Sequence, residues 1–293
     1  MLTTRTVNVE RLGVALGAQV NDVDLRRPVS PEVAEQLRLA LDEHQVLAFR
    51  GQHDMTTEEQ TQAASIWGAP GGAEPYRTIA RLDGGREQVA SVQKRFPGQA
   101  PFTDRWHADV TYSPKPPIAG TLYGELIPKV GGDTAFVSLC SIYDGLSEPM
   151  KRLCEGLQGE HSMEPMARDG FPIDPRMAAL FPPMLHPLVQ THPGSGRKLI
   201  YITAENTWMQ RIVGLHPGEA AVLLDYLRRQ LDNIEYQFRW RWTAGDMLVW
   251  DQRAVNHMGM GDHYSLDPYR TVRSIWTYAD DEPAARDPVS ATA

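Results

Sequence analysis

Two histidines and one carboxylate dominate the chemistry open to this sequence. The segment Trp106-His107-Ala108-Asp109-Val110-Thr111-Tyr112 sets an imidazole and a carboxylate two residues apart. In an extended chain residues i and i+2 share a face, so His107 and Asp109 would converge on one ion. The third ligand must come from elsewhere. His257 is the candidate, a few residues beyond the strongly apolar strand pattern Met247–Trp250. Two histidines and a carboxylate on one face of an octahedron form the ligand set of non-haem Fe(II) oxygenases. That set leaves three positions open, two for a chelating 2-oxo acid and one for O2. The same residues could hold zinc in a hydrolase. A lone His-x-Asp pair, or a histidine at a strand end, is more often an ordinary polar residue than a ligand. The surrounding chain has to decide.

The elements that would position these residues are mostly strands. Residues 6–25 suggest two short strands, Ser30-Pro31-Glu32 opens a helix running to about His44, and Gln45–Arg50 reads as a buried strand. Serine at the N-cap and proline in the first turn are both favoured at helix starts. A second helix begins at Thr57 and ends near Gly68. One strand is expected at Val89–Val92, and two between Ala119 and Ser138, divided by Pro128–Gly132. A short helix follows from Ser147 to about Leu157. Residues 163–185, rich in proline and methionine, read as an irregular flap and a candidate lid. Pro193-Gly194-Ser195-Gly196 joins two strands of a hairpin. Pro217–Leu231 forms an amphipathic helix with Ala221, Leu224, Tyr226, Leu227 and Leu231 near one face. Tyr236–Trp242, Met247–Trp250 and Arg270–Tyr278 complete the strand patterns. The expected fold is mainly β with flanking helices, one domain over 1–279 with a disordered tail at 280–293.

Composition removes several function classes. The 293 residues are 42% hydrophobic and 23% charged, ordinary values for a globular chain. A formal charge of -8 argues against a nucleic-acid partner, which would need a basic stripe. No run of about 18 apolar residues exists to span a membrane. The N-terminus lacks the apolar core of a signal peptide. With only Cys140 and Cys154 present, a reducing compartment is favoured, and a cytoplasmic protein is expected. No Gly-rich phosphate loop appears, which argues against a nucleotide-dependent enzyme.

In order and spacing, several short stretches resemble the taurine dioxygenase/2,4-dichlorophenoxyacetate dioxygenase (TauD/TfdA) family. They include Gly17-Ala18-Gln19-Val20, Val46–Gln52, Trp106–Tyr112 and Gly131-Gly132-Asp133-Thr134. Further matches are His186-Pro187-Leu188-Val189, Thr191-His192-Pro193, Arg239–Trp242 and Gly245–Arg253. The resemblance implies a double-stranded β-helix (jelly roll, cupin-like) with Fe(II) held by His107, Asp109 and His257. It implies 2-oxoglutarate and O2 as co-substrates, with the distal carboxylate of 2-oxoglutarate meeting Thr134 and Arg270. A buried carboxylate needs such a guanidinium fork and hydroxyl donor to offset its desolvation. Hydroxylation of a small organic substrate would be coupled to release of succinate and CO2. Where the attacked carbon bears S, O or N, that bond would then break. Retention of Asp109 favours hydroxylation over halogenation. A homodimer or homotetramer is also implied.

Departures from the family pattern bear on the substrate. The family places its co-substrate arginine and a second arginine four positions apart. Here Arg270 and Arg273 are three apart and face opposite ways in a regular strand, with Arg270 favoured as the binder. Ser274 then stands at the second arginine's place. Taurine-type members hold their sulfonate with that arginine, a histidine and an asparagine. This chain has Ser274, Ala73 and Thr103 at those places and keeps Tyr76 nearby, so taurine is not the expected substrate. An anion could instead meet Arg77, Arg105 or Arg273, or a less charged substrate could pack on Phe102, Tyr112, Phe171 and Trp208. Two other readings remain at this point, a metal-dependent hydrolase on the same site and a non-catalytic jelly-roll binding protein.

Overall fold

The computed structural model describes residues 6–72, 83, 89–94, 104–164, 175–262 and 270–279. In chain order these form β1 (Asn8–Arg11), β2 (Ala18–Asn21), α1 (Pro31–His44), β3 (Val46–Phe49), α2 (Thr57–Ala64) and β4 (Ala69–Gly71). Then come β5 (Ser91–Lys94), β6 (Ala119–Leu126), β7 (Thr134–Ser138), α3 (Leu139–Gly145), α4 (Glu148–Glu155) and β8 (Gln158–His161). The chain continues through α5 (Pro175–Leu180), β9 (Met184–Pro187), β10 (Val189–Thr191), β11 (Lys198–Ile200), β12 (Met209–Val213) and α6 (Pro217–Arg229). It closes with β13 (Gln237–Trp240), β14 (Met247–Asp251), β15 (Val255–Gly259) and β16 (Thr271–Tyr278).

Eight strands form one mixed sheet in the order β1-β2-β3-β14-β6-β16-β4, with β5 also paired to β16. Opposite it lies the sheet β13-β7-β15, whose Phe136 packs on Trp250 of β14, and β12-β8-β9 and β10-β11 form two further small sheets. This is the jelly-roll arrangement expected from the resemblance. The central strands of the large sheet are buried on both faces, which explains why β3 and β14 read as continuous apolar runs. Strand alternation divides their side chains between two cores. Leu47, Phe49, Met247 and Val249 pack under α1 with Leu37 and Leu41. Val46, Ala48, Leu248 and Trp250 face inward, where they meet Phe136 of β7. Gly120 on β6 is required there, because a Cβ at that position would lie 2.3 Å from the Trp250 ring.

The helix caps follow the sequence signals. The Ser30 hydroxyl accepts from the Val33 amide with Pro31 in the first turn, and Thr56 and Glu59 form a reciprocal capping box on α2. Several expectations are corrected. The second helix ends at Ala64, short of Gly68. Helix α6 buries Ala220, Leu223, Leu224 and Leu227, while Tyr226 is exposed, so its buried stripe is rotated from the one expected. The described part of the 163–185 flap is not irregular: it contains α5 and the start of β9. Strands β4, β8, β12 and β15 and helix α3 stand where no element is expected from the sequence. The tail at 280–293 lies outside the described residues.

Candidate active site

His257 sits in the middle of β15, an edge strand of the smaller sheet. His107 joins that edge through a single antiparallel bridge. Its amide donates to the His257 carbonyl at 3.1 Å, and the His257 amide donates back at 2.8 Å. The two imidazoles are thereby held with ring centroids 4.3 Å apart. Trp250 backs His257 at 4.8 Å between centroids, so the glycine that admits Trp250 also fixes this histidine.

Asp109 arrives differently from expectation. The chain is extended only at His107; residues 109–112 form a turn, and Val110 adopts φ 60°. A β-branched residue in the left-handed region is strained, by about 1–3 kcal/mol. The turn brings Asp109 Oδ1 to 3.5 Å from His107 Nε2 and Oδ2 to 3.6 Å from His257 Nε2. Gln252 and Trp276 hold the carboxylate in place. The Gln252 amide donates to Oδ2 while its carbonyl accepts from the Asp109 amide, and Trp276 Nε1 donates to Oδ2 at 2.9 Å. Burial would raise the Asp109 pKa, but His257, His107 and the two hydrogen bonds outweigh it and hold the group below the usual carboxylate range.

These three residues fit a divalent metal. One ligand atom from each lies within 4.8 Å of the others. Metal–ligand bonds of about 2.1 Å place facial ligands roughly 3 Å apart, so a small contraction would complete the set. The tautomer of His107 is settled by its partner. Nδ1 lies 2.7 Å from the Arg105 carbonyl, which can only accept, so Nδ1 carries the proton and Nε2 presents a lone pair.

The same cleft is lined by Thr134, Arg270, Ser274 and Trp276. Arg270 is 2% exposed and donates to the Thr134 hydroxyl at 2.9 Å, which also accepts from Trp242 Nε1 at 2.9 Å. Arg273 points to the other face of β16. There it donates to Gln60, to Glu125 at 2.7 Å and to the Met55 carbonyl. It is therefore part of the packing under α2 and not an anion receptor in this cleft. The Ser274 hydroxyl donates to the Ser91 carbonyl at 3.1 Å. Tyr112 does not line the cleft; it packs in a neighbouring cluster against Trp208 and Phe181. Arg105 is half-buried and donates to the Asn206 carbonyl. Tyr76, Thr103, Ala73, Arg77, Phe102 and Phe171 lie outside the described residues.

Sequence reasoning missed Gln252 and Trp276 as site residues. The signal for Trp276 was available: with Arg270 facing inward, the two-residue repeat of β16 also turns Ser274 and Trp276 inward.

The sequence pattern of the taurine catabolism dioxygenase TauD, TfdA family matches residues 8–276. The chain belongs to this family. It is 30% identical over 292 residues to an alpha-ketoglutarate-dependent sulfate ester dioxygenase of Pseudomonas putida, covering 96% of this chain and 92% of that one. Against an alpha-ketoglutarate-dependent 2,4-dichlorophenoxyacetate dioxygenase of Cupriavidus pinatubonensis the identity is 29%, with coverages of 90% and 94%. The crystal structure of a taurine dioxygenase from Burkholderia xenovorans superposes with a TM-score of 0.77 at 30% identity, covering 94% and 92%. The protein is thus a dioxygenase that uses Fe(II), 2-oxoglutarate and O2. Family membership sets aside the hydrolase and the non-catalytic binding protein. No described helix is long and apolar enough to cross a membrane.

Proposed function

We propose that His107, Asp109 and His257 hold the Fe(II), that Thr134 and Arg270 receive the distal carboxylate of 2-oxoglutarate, and that the substrate is a small organic molecule hydroxylated at a carbon bonded to oxygen. The carrying observation is convergence: three ligand atoms within 4.8 Å share one cleft with a buried Arg–Thr pair. When bound, Fe(II) with 2-oxoglutarate and O2 supplies the oxidising power for C–H hydroxylation, with succinate and CO2 as co-products.

The chain's own residues orient the reactants and keep water out. Arg270, stacked beside the Trp242 ring and joined to Thr134, offers a desolvated fork for a carboxylate. Gln252 and Trp276 take up Asp109 Oδ2, which leaves Oδ1 turned toward His107.

A C–O target is supported by two relatives, named for a sulfate ester and for an aryloxy acid. It is also supported by Ser274 and Arg273. A sulfonate receptor like that of the taurine enzymes would need a second inward arginine on β16; this chain has a serine there, and Arg273 is committed elsewhere. Hydroxylation next to oxygen yields a product that collapses with cleavage of the C–O bond. Of the contacts expected for substrate, Ser274 forms a small wall of the cleft, and Tyr112 acts through the cluster beside it. Tyr76 and Thr103 remain part of the proposal as substrate contacts. The reading extends to a single domain over 1–279 and to a cytoplasmic homodimer or homotetramer, in keeping with two buried free cysteines.

The test is succinate release over a panel of alkyl sulfate esters, aryloxy acids, N-substituted amino acids and sulfonates. The C–O substrates are expected to turn over fastest. Fastest turnover with taurine would overturn the assignment.

A further inference from the structure

Val110 holds an unfavourable conformation between Asp109 and Thr111, and something must keep it there. Two buried histidines meet the next residue. His186 Nε2 lies 2.7 Å from the Thr111 carbonyl, which can only accept, so this imidazole donates. His161 Nδ1 lies 2.8 Å from Thr111 Oγ1. Among the described residues His161 Nε2 has no hydrogen-bond partner. The tautomer that leaves no buried N–H orphaned therefore carries its proton on Nδ1 and donates to the hydroxyl.

Neither histidine contacts the proposed ligands, and both are built into place. Strands β8 and β9 pair antiparallel, with His161 opposite Met184 and Gly159 opposite His186, so the two imidazoles project from one face. Their ring centroids are 5.0 Å apart, and Tyr201 packs on both at 5.4 and 5.3 Å. Gly159 keeps the space open; a Cβ there would lie 2.8 Å from the Met209 methyl and 3.2 Å from His161 Nε2. Burial lowers the pKa of both, His161 well below the ordinary value, so both stay neutral donors.

We propose that His161 and His186 are positioning residues for Asp109: by clamping Thr111 from its hydroxyl and its carbonyl, they hold Val110 in its left-handed conformation and keep the carboxylate aimed at His107 and His257. The other side of the turn is held by Gln252 on the Asp109 amide, and the Ser113 amide closes the turn itself on the Val110 carbonyl. The clamp thus completes a strained hinge gripped at both ends. The inference rests on Asp109 being a metal ligand.

The experiment titrates Mn(II) into the metal-free full chain by calorimetry, with thermal melting to verify folding. Asp109→Ala should abolish binding; if it binds like the parent, the ligand reading fails whatever the histidines do. With that control in hand, His186→Leu should weaken Mn(II) binding about tenfold. Val110→Gly in the same chain should restore most of the affinity, because glycine adopts a positive φ without cost. A merely structural histidine would not be rescued by relaxing the backbone torsion of the residue next to its contact. Thr111→Val, which removes the hydroxyl alone, should weaken binding several-fold and serves where His186→Leu does not fold. Parental affinity in Thr111→Val and in every folded His186 variant, or a loss that Val110→Gly leaves untouched, would overturn the proposal.

Discussion

The protein contains two clusters of histidine and carboxylate with nearly the same parts. His107, Asp109 and His257 form one; Asp42, His192 and Asp251 form the other, and each gathers its ligand atoms within 4.8 Å. They differ in which ring nitrogen is left basic. The His107 Nδ1–H donates to the Arg105 carbonyl, so Nε2 offers a lone pair to the cluster. His192 Nδ1 instead accepts from the Ser195 amide at 3.0 Å, so Nε2 carries the proton and donates to Asp251 Oδ2 at 2.8 Å. Charge separates them as well. Arg253 forks onto Asp251, with Nε 3.0 Å from Oδ1 and the Nη2 nitrogen 2.6 Å from Oδ2. Among the described residues no lysine or arginine forms an ion pair with Asp109. In the second cluster Asp251 is thus already matched by a cation and a donor, and it ties β14 to the β10–β11 hairpin. The first faces a cleft with His107 Nε2 and the Asp109 carboxylate as acceptors. Proximity of ligand types does not make a metal site; the protonation pattern imposed by the backbone does.

The comparison can be broken most directly by exchanging the losses. His257→Ala should abolish Mn(II) binding and lower succinate release at least about 1,000-fold, some 4 kcal/mol of barrier. His192→Ala should bind Mn(II) as the parent does while melting at a lower temperature. Loss of metal binding from the folded His192 variant would erase the distinction.

Arg253→Met strands the Asp251 carboxylate, which is buried beside it. Breaking a buried ion pair from one side costs about 3–5 kcal/mol, measurable by urea unfolding of the metal-free protein. A cost below about 1 kcal/mol would mean that the second cluster is not held by charge.

The smallest effect is on acid stability. Burial would raise the Asp251 pKa, but Arg253 and His192 outweigh it and hold the group well below the carboxylate range. Its folded value therefore lies under the unfolded value of about 3.9. The stabilisation is complete above that pH and is lost as pH falls through the folded value. Asp251→Asn should flatten the decline of unfolding free energy below about pH 4, by at most about 1.4 kcal/mol per pH unit. An unchanged slope in urea unfolding between pH 4 and pH 2 would show that Asp251 is not the acid-sensitive group.

Much of the site is legible in the chain. The alternation of β16 separates Arg270, which joins Thr134 in the cleft, from Arg273, which packs on Gln60 and Glu125. Helix caps at Ser30 and Thr56 follow from local hydrogen bonding. Other features resist sequence reading for physical reasons. Strand β8, Gln158-Gly159-Glu160-His161, has no apolar alternation, because its inward positions are a glycine and a histidine that serve the turn at Thr111. The stripe of α6 is misplaced because apolar residues at 220, 221, 223 and 224 support two adjacent faces, and only packing selects one. The bend at Val110 contradicts the residue's own preference, and tertiary contacts impose it.

By itself the sequence determined the ligand types, the two-residue phase that turns Arg270, Ser274 and Trp276 inward, and the family. Those properties are local: they follow from side-chain chemistry and from the repeat of a strand. Only the tertiary structure decided which of two histidine–carboxylate clusters is open to a metal. That choice depends on Gln252 reaching Asp109 across 143 positions and on the backbone atom each Nδ1 meets. Each Nδ1 partner lies close in sequence, Arg105 two residues before His107 and Ser195 three after His192, but only the folded path of the backbone turns a carbonyl to one ring and an amide to the other.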